Sequence, residues 1–109
     1  MKKKVFLGGT CNNSTWRDKL IPNLDIDYFN PVVDEWTELA YKKELEERQK
    51  CDFCLYVITP KMVGVYSIAE VIDDSNKRPE KTIFCYLTKD DGKEFTKEQI
   101  KSLDKVSEM

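Results

Sequence analysis

The 109 residues contain no histidine, so Ser-His-Asp and Cys-His catalysis are closed and carboxylates, Tyr, Lys and Cys remain as acids, bases or nucleophiles. Among these, Glu70 stands out by position. In the stretch TPKMVGVYSIAEVIDDSN, Thr59 to Asn76, an apolar run from Cys54 to Ile58 ends, a loop with one glycine follows, and a helix starts with Ser67 and Glu70. A run of that kind reads as a strand buried on both faces, and the loop after it emerges at the carboxyl edge of a parallel sheet, where open α/β folds bind ligands. A carboxylate there can act on a bound molecule. The same residues also have a plain structural reading. Ser67-x-x-Glu70 has capping-box spacing, in which Ser67 binds the amide of Glu70 and Glu70 reaches back to that of Ser67.

The four cysteines, Cys11, Cys51, Cys54 and Cys85, include one C-x-x-C pair, Cys51-Asp-Phe-Cys54. Cys54 and Cys85 fall inside apolar runs, and neither a second pair nor a histidine completes a zinc site. Buried thiols are the simpler reading, and neither a metal nor a cofactor is expected. Redox work by Cys51 and Cys54 is disfavoured because no helix start follows Cys51 to lower its pKa.

The length fits one domain over residues 1–109 with a single core. Hydrophobic residues at 40% and charged residues at 35% form a globular balance, which argues against disorder and against a membrane protein. The amino terminus MKKK runs straight into VFLGG with no long apolar core or cleavage site, so a cytoplasmic location is expected. A net charge of -2 with lysines interspersed among acids gives no basic stripe, and polymeric nucleic acid is set aside as a partner.

The elements that must position Glu70 follow in chain order. Lys4 to Leu7 reads as a strand broken by Gly8-Gly9-Thr10, and Ser14 is placed to cap a helix with Trp16, Leu20 and Ile21 as its stripe, ended by Pro22. Strand, glycine loop and helix start can hold an anion or a sugar hydroxyl, or the glycines can simply turn the chain. Ile26 to Phe29 is a second strand. A helix from about Glu35 to Lys50 follows, capped by Asp34, with Trp36, Leu39, Ala40 and Leu45 expected to face the sheet and Glu38, Lys42, Lys43, Glu46, Glu47 and Arg48 mostly on its solvated side. Glu44 lies close to the apolar stripe in angle. A solvated position is the simpler reading for it, and a position facing a cleft is the other.

Phe53 to Thr59 is the central strand, a helix runs from Ile68 to about Asn76, and Lys81 to Leu87 is the fourth strand, followed by a turn at Lys89-Asp90-Asp91-Gly92. The last helix is capped by Thr96 and Gln99, with Phe95 and Ile100 as a hydrophobic staple, and buries Ile100, Leu103 and Val106. The alternation predicts a single Rossmann-like, flavodoxin-like three-layer α/β domain with a parallel sheet of four or five strands in the order 2-1-3-4. The switch point then lies between strands one and three. Gly8, Gly9, Thr10 and Asn12 should face Met62, Gly64 and Ser67 across a cleft bordered by Asp34 and Trp36, a set suited to a nucleoside or nucleotide.

VFLGGT, NPVVDEW, and CDFCLYVITP followed by GVYSIAE together resemble the nucleoside 2-deoxyribosyltransferase-like family over roughly residues 3 to 88. The resemblance implies that Glu70 is a nucleophile attacking C1′ of a deoxyribose, that Glu44 is a second carboxylate, that Gly8 and Gly9 contact the sugar, and that Asn30, Asp34 and Trp36 contact the base. It also implies a homo-oligomer with shared sites, against which stands the end of the chain at Met109 without the family's longer tail. Two further departures are Phe6, where transferases of the family carry an aromatic hydroxyl, and Gly64, near the place of a family acid. Three functions follow: an enzyme cleaving or exchanging the N-glycosidic bond of a (deoxy)nucleoside or nucleoside monophosphate, a non-catalytic binder of a nucleotide or nucleotide-derived signal, and a plain interaction domain.

Overall fold

The computed structural model describes residues 3–11, 14–33 and 37–109. Four strands, β1 (Lys4–Gly9), β2 (Asp27–Phe29), β3 (Phe53–Ile58) and β4 (Thr82–Tyr86), form one parallel sheet in the order β2-β1-β3-β4. This is the predicted order. Its register places Gly8 beside Tyr56 and Gly9 beside Val57, so β1 and β3 end together at one edge.

Alternation along the strands divides the apolar residues between two faces. Val5, Leu7 and Val57 pack with Trp16 of α1 (Trp16–Leu20) and with Leu20, Ile21, Leu24 and Ile26. Phe6, Cys54 and Tyr56 pack on the other face with Val71 of α3 (Tyr66–Lys77). Ile58 joins Phe95 and Leu103 there, bringing α4 (Lys97–Ser107) onto the same side. Helices on both faces of a parallel sheet make a three-layer Rossmann-like α/β fold. Thr96 and Gln99 form the expected capping box, and Phe95 and Ile100 share one cluster. Beyond β4, the hairpin of β5 (Lys89–Asp90) and β6 (Lys93–Glu94) turns through Asp91 and Gly92, both at positive φ.

Several local expectations are corrected. Helix α1 begins at Trp16 with Thr15 in the cap position and no side-chain cap from it; Ser14, one residue further out, donates its hydroxyl to Asp90 and accepts only a long contact from Trp16 N at 3.5 Å. Helix α2 (Glu38–Lys50) is capped by Thr37, whose Oγ1 accepts from Ala40 N at 3.1 Å; Asp34 and Trp36 lie outside the described residues. The apolar stripe expected on α2 does not face the sheet, since Leu39 is 79% and Leu45 41% exposed. The helix buries Glu44, Glu47 and Arg48 instead. It is seated through ion pairs: Glu47 meets Lys4 at 2.9 Å, and Arg48 meets Asp73 and Asp74 of α3 at 3.0 Å each.

The two glycines ending β1 differ from an ordinary turn. A side chain on Gly8 would begin 2.5 Å from the Tyr56 ring, and one on Gly9, at φ 115°, would begin 2.0 Å from the carbonyl oxygen of Val57. Both contact and conformation exclude it. Gly9→Ala is therefore expected to lose about 2–4 kcal/mol of stability in urea denaturation, whereas Gly64→Ala, with nothing within 4 Å of the new carbon, should stay within about 0.5 kcal/mol of wild type.

Candidate functional site

At the shared carboxyl edge of β1 and β3 lies a half-open cavity of about 340 Å³, within the size range of small-molecule sites. Gly8, Gly9, Thr10 and Cys11 form one wall; Met62, Gly64, Tyr66, Ser67 and Glu70 form the opposite one; Phe6 and Ile58 line it from the sheet. Glu44 reaches it from α2 and Arg17 from α1. Glu44 is 7% exposed, so the solvated position expected for it gives way to the cavity. Asn30 does not line the cavity: it is exposed, and its Oδ1 accepts from Val32 N at 3.1 Å in an Asx turn that leaves Pro31, Val32 and Val33 at the rim. Asn12, like Asp34 and Trp36, lies outside the described residues.

The walls are tied to each other by backbone and hydroxyl groups. Thr10 N donates to Val57 O and Thr59 N to Thr10 Oγ1, both at 2.9 Å. Arg17, 3% exposed, donates to the carbonyls of Leu7, Gly9 and Thr10 at 2.9, 3.3 and 2.6 Å, drawing the end of β1 into its curl. From the hairpin, Asp90 accepts from Thr59 Oγ1 at 2.7 Å and Asp91 pairs with Lys61 at 2.9 Å. Ser67 is no helix cap. Helix α3 begins two residues earlier than expected, at Tyr66, and Ser67 Oγ donates across the cavity wall to Gly9 O at 3.1 Å.

With the capping box absent, Glu70 is left to the cavity. It is 6% exposed, and its Oε2 has no hydrogen-bond partner among the described residues; the nearest cation, Arg48 Nη1, stands 3.6 Å away, too far for a hydrogen bond. Burial, and then hydrogen bonding and repulsion from the Glu44 carboxyl, push the Glu70 pKa up to about 9, with Arg48 pulling the other way. Two buried carboxyls in one cavity cannot both ionise readily, and it is Glu70 that holds its proton above neutral pH. Beneath it, Asp74 is fully buried and accepts from Arg48, Arg78 and the Tyr56 hydroxyl. Burial opposes its ionisation, yet these donors hold it below the usual carboxylate range. At the rim, burial and a hydrogen bond with Tyr41 raise the Tyr66 phenol to about 12. Burial lifts the thiols of Cys51 and Cys54 to about 12 and about 11, which removes them as nucleophiles at neutral pH.

Two buried carboxyls lining one cavity at the switch point of an open parallel sheet form a candidate small-molecule site, with the chemistry to combine acid and nucleophilic or electrostatic roles. The family model described as "Nucleoside 2-deoxyribosyltransferase like" matches residues 2–89. The chain belongs to that family. No curated protein and no solved structure matches it. No helix among the described residues is long and apolar enough to cross a membrane.

The residues that sequence reasoning missed are Tyr66, Arg17, Cys11 and the Pro31 to Val33 rim. Arg48 was missed in another sense, being taken as solvated. A signal for it was present: Glu44 and Arg48 are one turn apart, as are Glu70 and Asp74, so two charged faces can oppose each other. Because the folded protein holds at Glu70 a proton that the unfolded chain releases near pH 4, stability should fall as pH rises from about 4 to about 9. Glu70→Gln keeps the shape without the charge. It is expected to flatten that fall and to exceed wild type at pH 8.5 by a few kcal/mol, on the order set by the shift, in urea denaturation compared at pH 5 and pH 8.5.

Proposed function

We propose that this chain cleaves or exchanges the N-glycosidic bond of a (deoxy)nucleoside or nucleoside monophosphate. The observation that carries this reading is the buried pair of Glu44 and Glu70 in one cavity, with an oxygen of Glu70 left without a hydrogen-bond partner among the described residues. In the reactive form the proton that Glu70 holds at rest has passed to Glu44, and Glu70 is the carboxylate. Its oxygen forms a bond to C1′ as the bond from C1′ to the base nitrogen breaks, and the departing base keeps the electron pair and takes the proton of Glu44. Water or a second base then attacks C1′, releases Glu70 and returns a proton to Glu44. Family membership supports the nucleoside part of this reading. Gly8 and Gly9 line the same cavity, which is compatible with the sugar contact the family implies for them. Exposed apolar residues near the mouth, Val63 at 84% and Tyr66 at 54%, support a homo-oligomer, checked by mass in solution.

The test is release of free base from a panel of (deoxy)nucleosides and their 5′-monophosphates. Glu70→Gln is expected to reduce it by about 10³-fold or more, and Glu44→Gln by about 10²–10⁴-fold with the greatest loss for poor leaving bases. Activity that survives Glu70→Gln contradicts the assignment.

A second reading has its own observation: Phe6, fully buried on the cavity floor, offers no hydroxyl to orient Glu70, and Glu70 holds its proton to about pH 9. These favour a non-catalytic nucleotide binder. Ligand-dependent rise in melting temperature without base release, retained in Glu70→Gln, supports that reading instead.

A further inference from the structure

Arg48 is the cation that meets Glu70 among the described residues, and its surroundings fix it in place. It is 4% exposed. Nε donates to Asp74 Oδ2 at 3.1 Å, and Nη2 donates to Asp74 Oδ1 and Asp73 Oδ2 at 3.0 Å each. Nη2 also lies 3.5 Å from the backbone carbonyl of Glu70 itself. One edge of the guanidinium is thus committed to α3, and Nη1 is left facing the unpartnered Oε2 of Glu70 at 3.6 Å. Asp74 cannot turn away, because Tyr56 and Arg78 donate to it as well. Such fixing of a charge that touches no ligand is what a positioning role requires.

We propose that Arg48 is the positioning residue of the carboxyl pair: clamped by Asp73 and Asp74, it holds the Glu70 carboxyl toward the cavity and supplies the positive charge against which that carboxyl ionises. The proposal rests on the assignment of Glu70 to the site, and it deepens it by naming what controls its protonation. The groups facing Glu70 are Glu44 and Arg48 from α2, Tyr66 and Asp74 on α3, Tyr56 from β3, and Arg17 across the cavity. Glu44 and Asp74 are acids that raise its pKa, Tyr56 and Tyr66 are phenols with pKa values raised in turn, and Arg17 is spent on backbone carbonyls. Arg48 is the facing charge that favours the ionised form. It also stands on α2 one turn after Glu44, so the helix that brings in the competing acid carries its counterweight.

The test reads protonation directly and needs no turnover. In the infrared spectrum of the full chain, the carbonyl stretch of the protonated Glu70 carboxyl is assigned by its loss in Glu70→Gln and followed against pH. Arg48→Met is expected to move its midpoint up by about one pH unit or more, and Arg48→Lys, which keeps the charge, to bring it back toward wild type. Asp73→Asn removes a half-exposed negative charge that competes with Glu70 for Arg48, and is expected to move the midpoint down, a readout that stands even where Arg48→Met does not fold. Where base release is measurable, the acidic limb of its pH profile should follow the same shifts. A midpoint unchanged in Arg48→Met, or in Asp73→Asn where the former does not fold, overturns the proposal. Absence of base release with the band shifting as expected rejects catalysis and keeps the role of Arg48.

Discussion

Two carboxyl groups brought together from facing helices repel each other unless a proton or a cation intervenes; here burial and Glu44 raise the Glu70 pKa, and Arg48 stands 3.6 Å from its carboxyl. The Arg48 guanidinium joins α2 to α3 through Asp73 and Asp74, while Glu44 and Glu70 meet above it in the cavity. A buried ion network adds little net stability compared with apolar packing, and breaking one member is costly because it strands the others. What such a network can supply is a fixed relation between groups. Helix α2, with its leucines turned outward, is registered on α3 by charge, and the registration sets the distance between the two carboxyls.

The cavity around them follows from the sheet. Parallel strands β1 and β3 end side by side, and the glycine pair lets the chain turn where a side chain would strike Tyr56 or the Val57 carbonyl. Ser67 and Arg17 then converge on the Gly9 carbonyl from opposite elements. The hairpin beyond β4 fastens both loops from outside through Asp90 and Asp91. Phe6 lies on the floor, stacked on Phe29 at 5.8 Å. The chemistry is thereby left to acids on the helices, with an apolar surface beneath.

The sheet order was legible because each strand is a short apolar run bounded by turn residues, and alternating runs and helices admit few topologies. Helix α4 was legible for a local reason, since Thr96 and Gln99 satisfy its first turn whatever else surrounds it. Helix α2 was misread because apolar spacing is a guide only where apolar packing seats a helix, and here Arg48 and Glu47 do so. Ser67 was misread through a shift of two residues in the helix start, which turned a presumed cap into a donor for Gly9. Both errors bear on the site. Correcting them moves Glu44 and Glu70 from alternatives on a surface and in a cap to neighbours in one cavity.

The central claim is that the Glu70 carboxylate reacts at C1′ of a bound nucleoside or nucleotide. Its most direct measurement is the mass of the protein quenched in acid during turnover of a substrate that releases base, with the adduct located by peptide mapping. A deoxyribosyl or deoxyribosyl-phosphate adduct on the peptide carrying Glu70, absent in Glu70→Gln, is the predicted result. Base release with the adduct on another residue, or undiminished in Glu70→Gln, would contradict it.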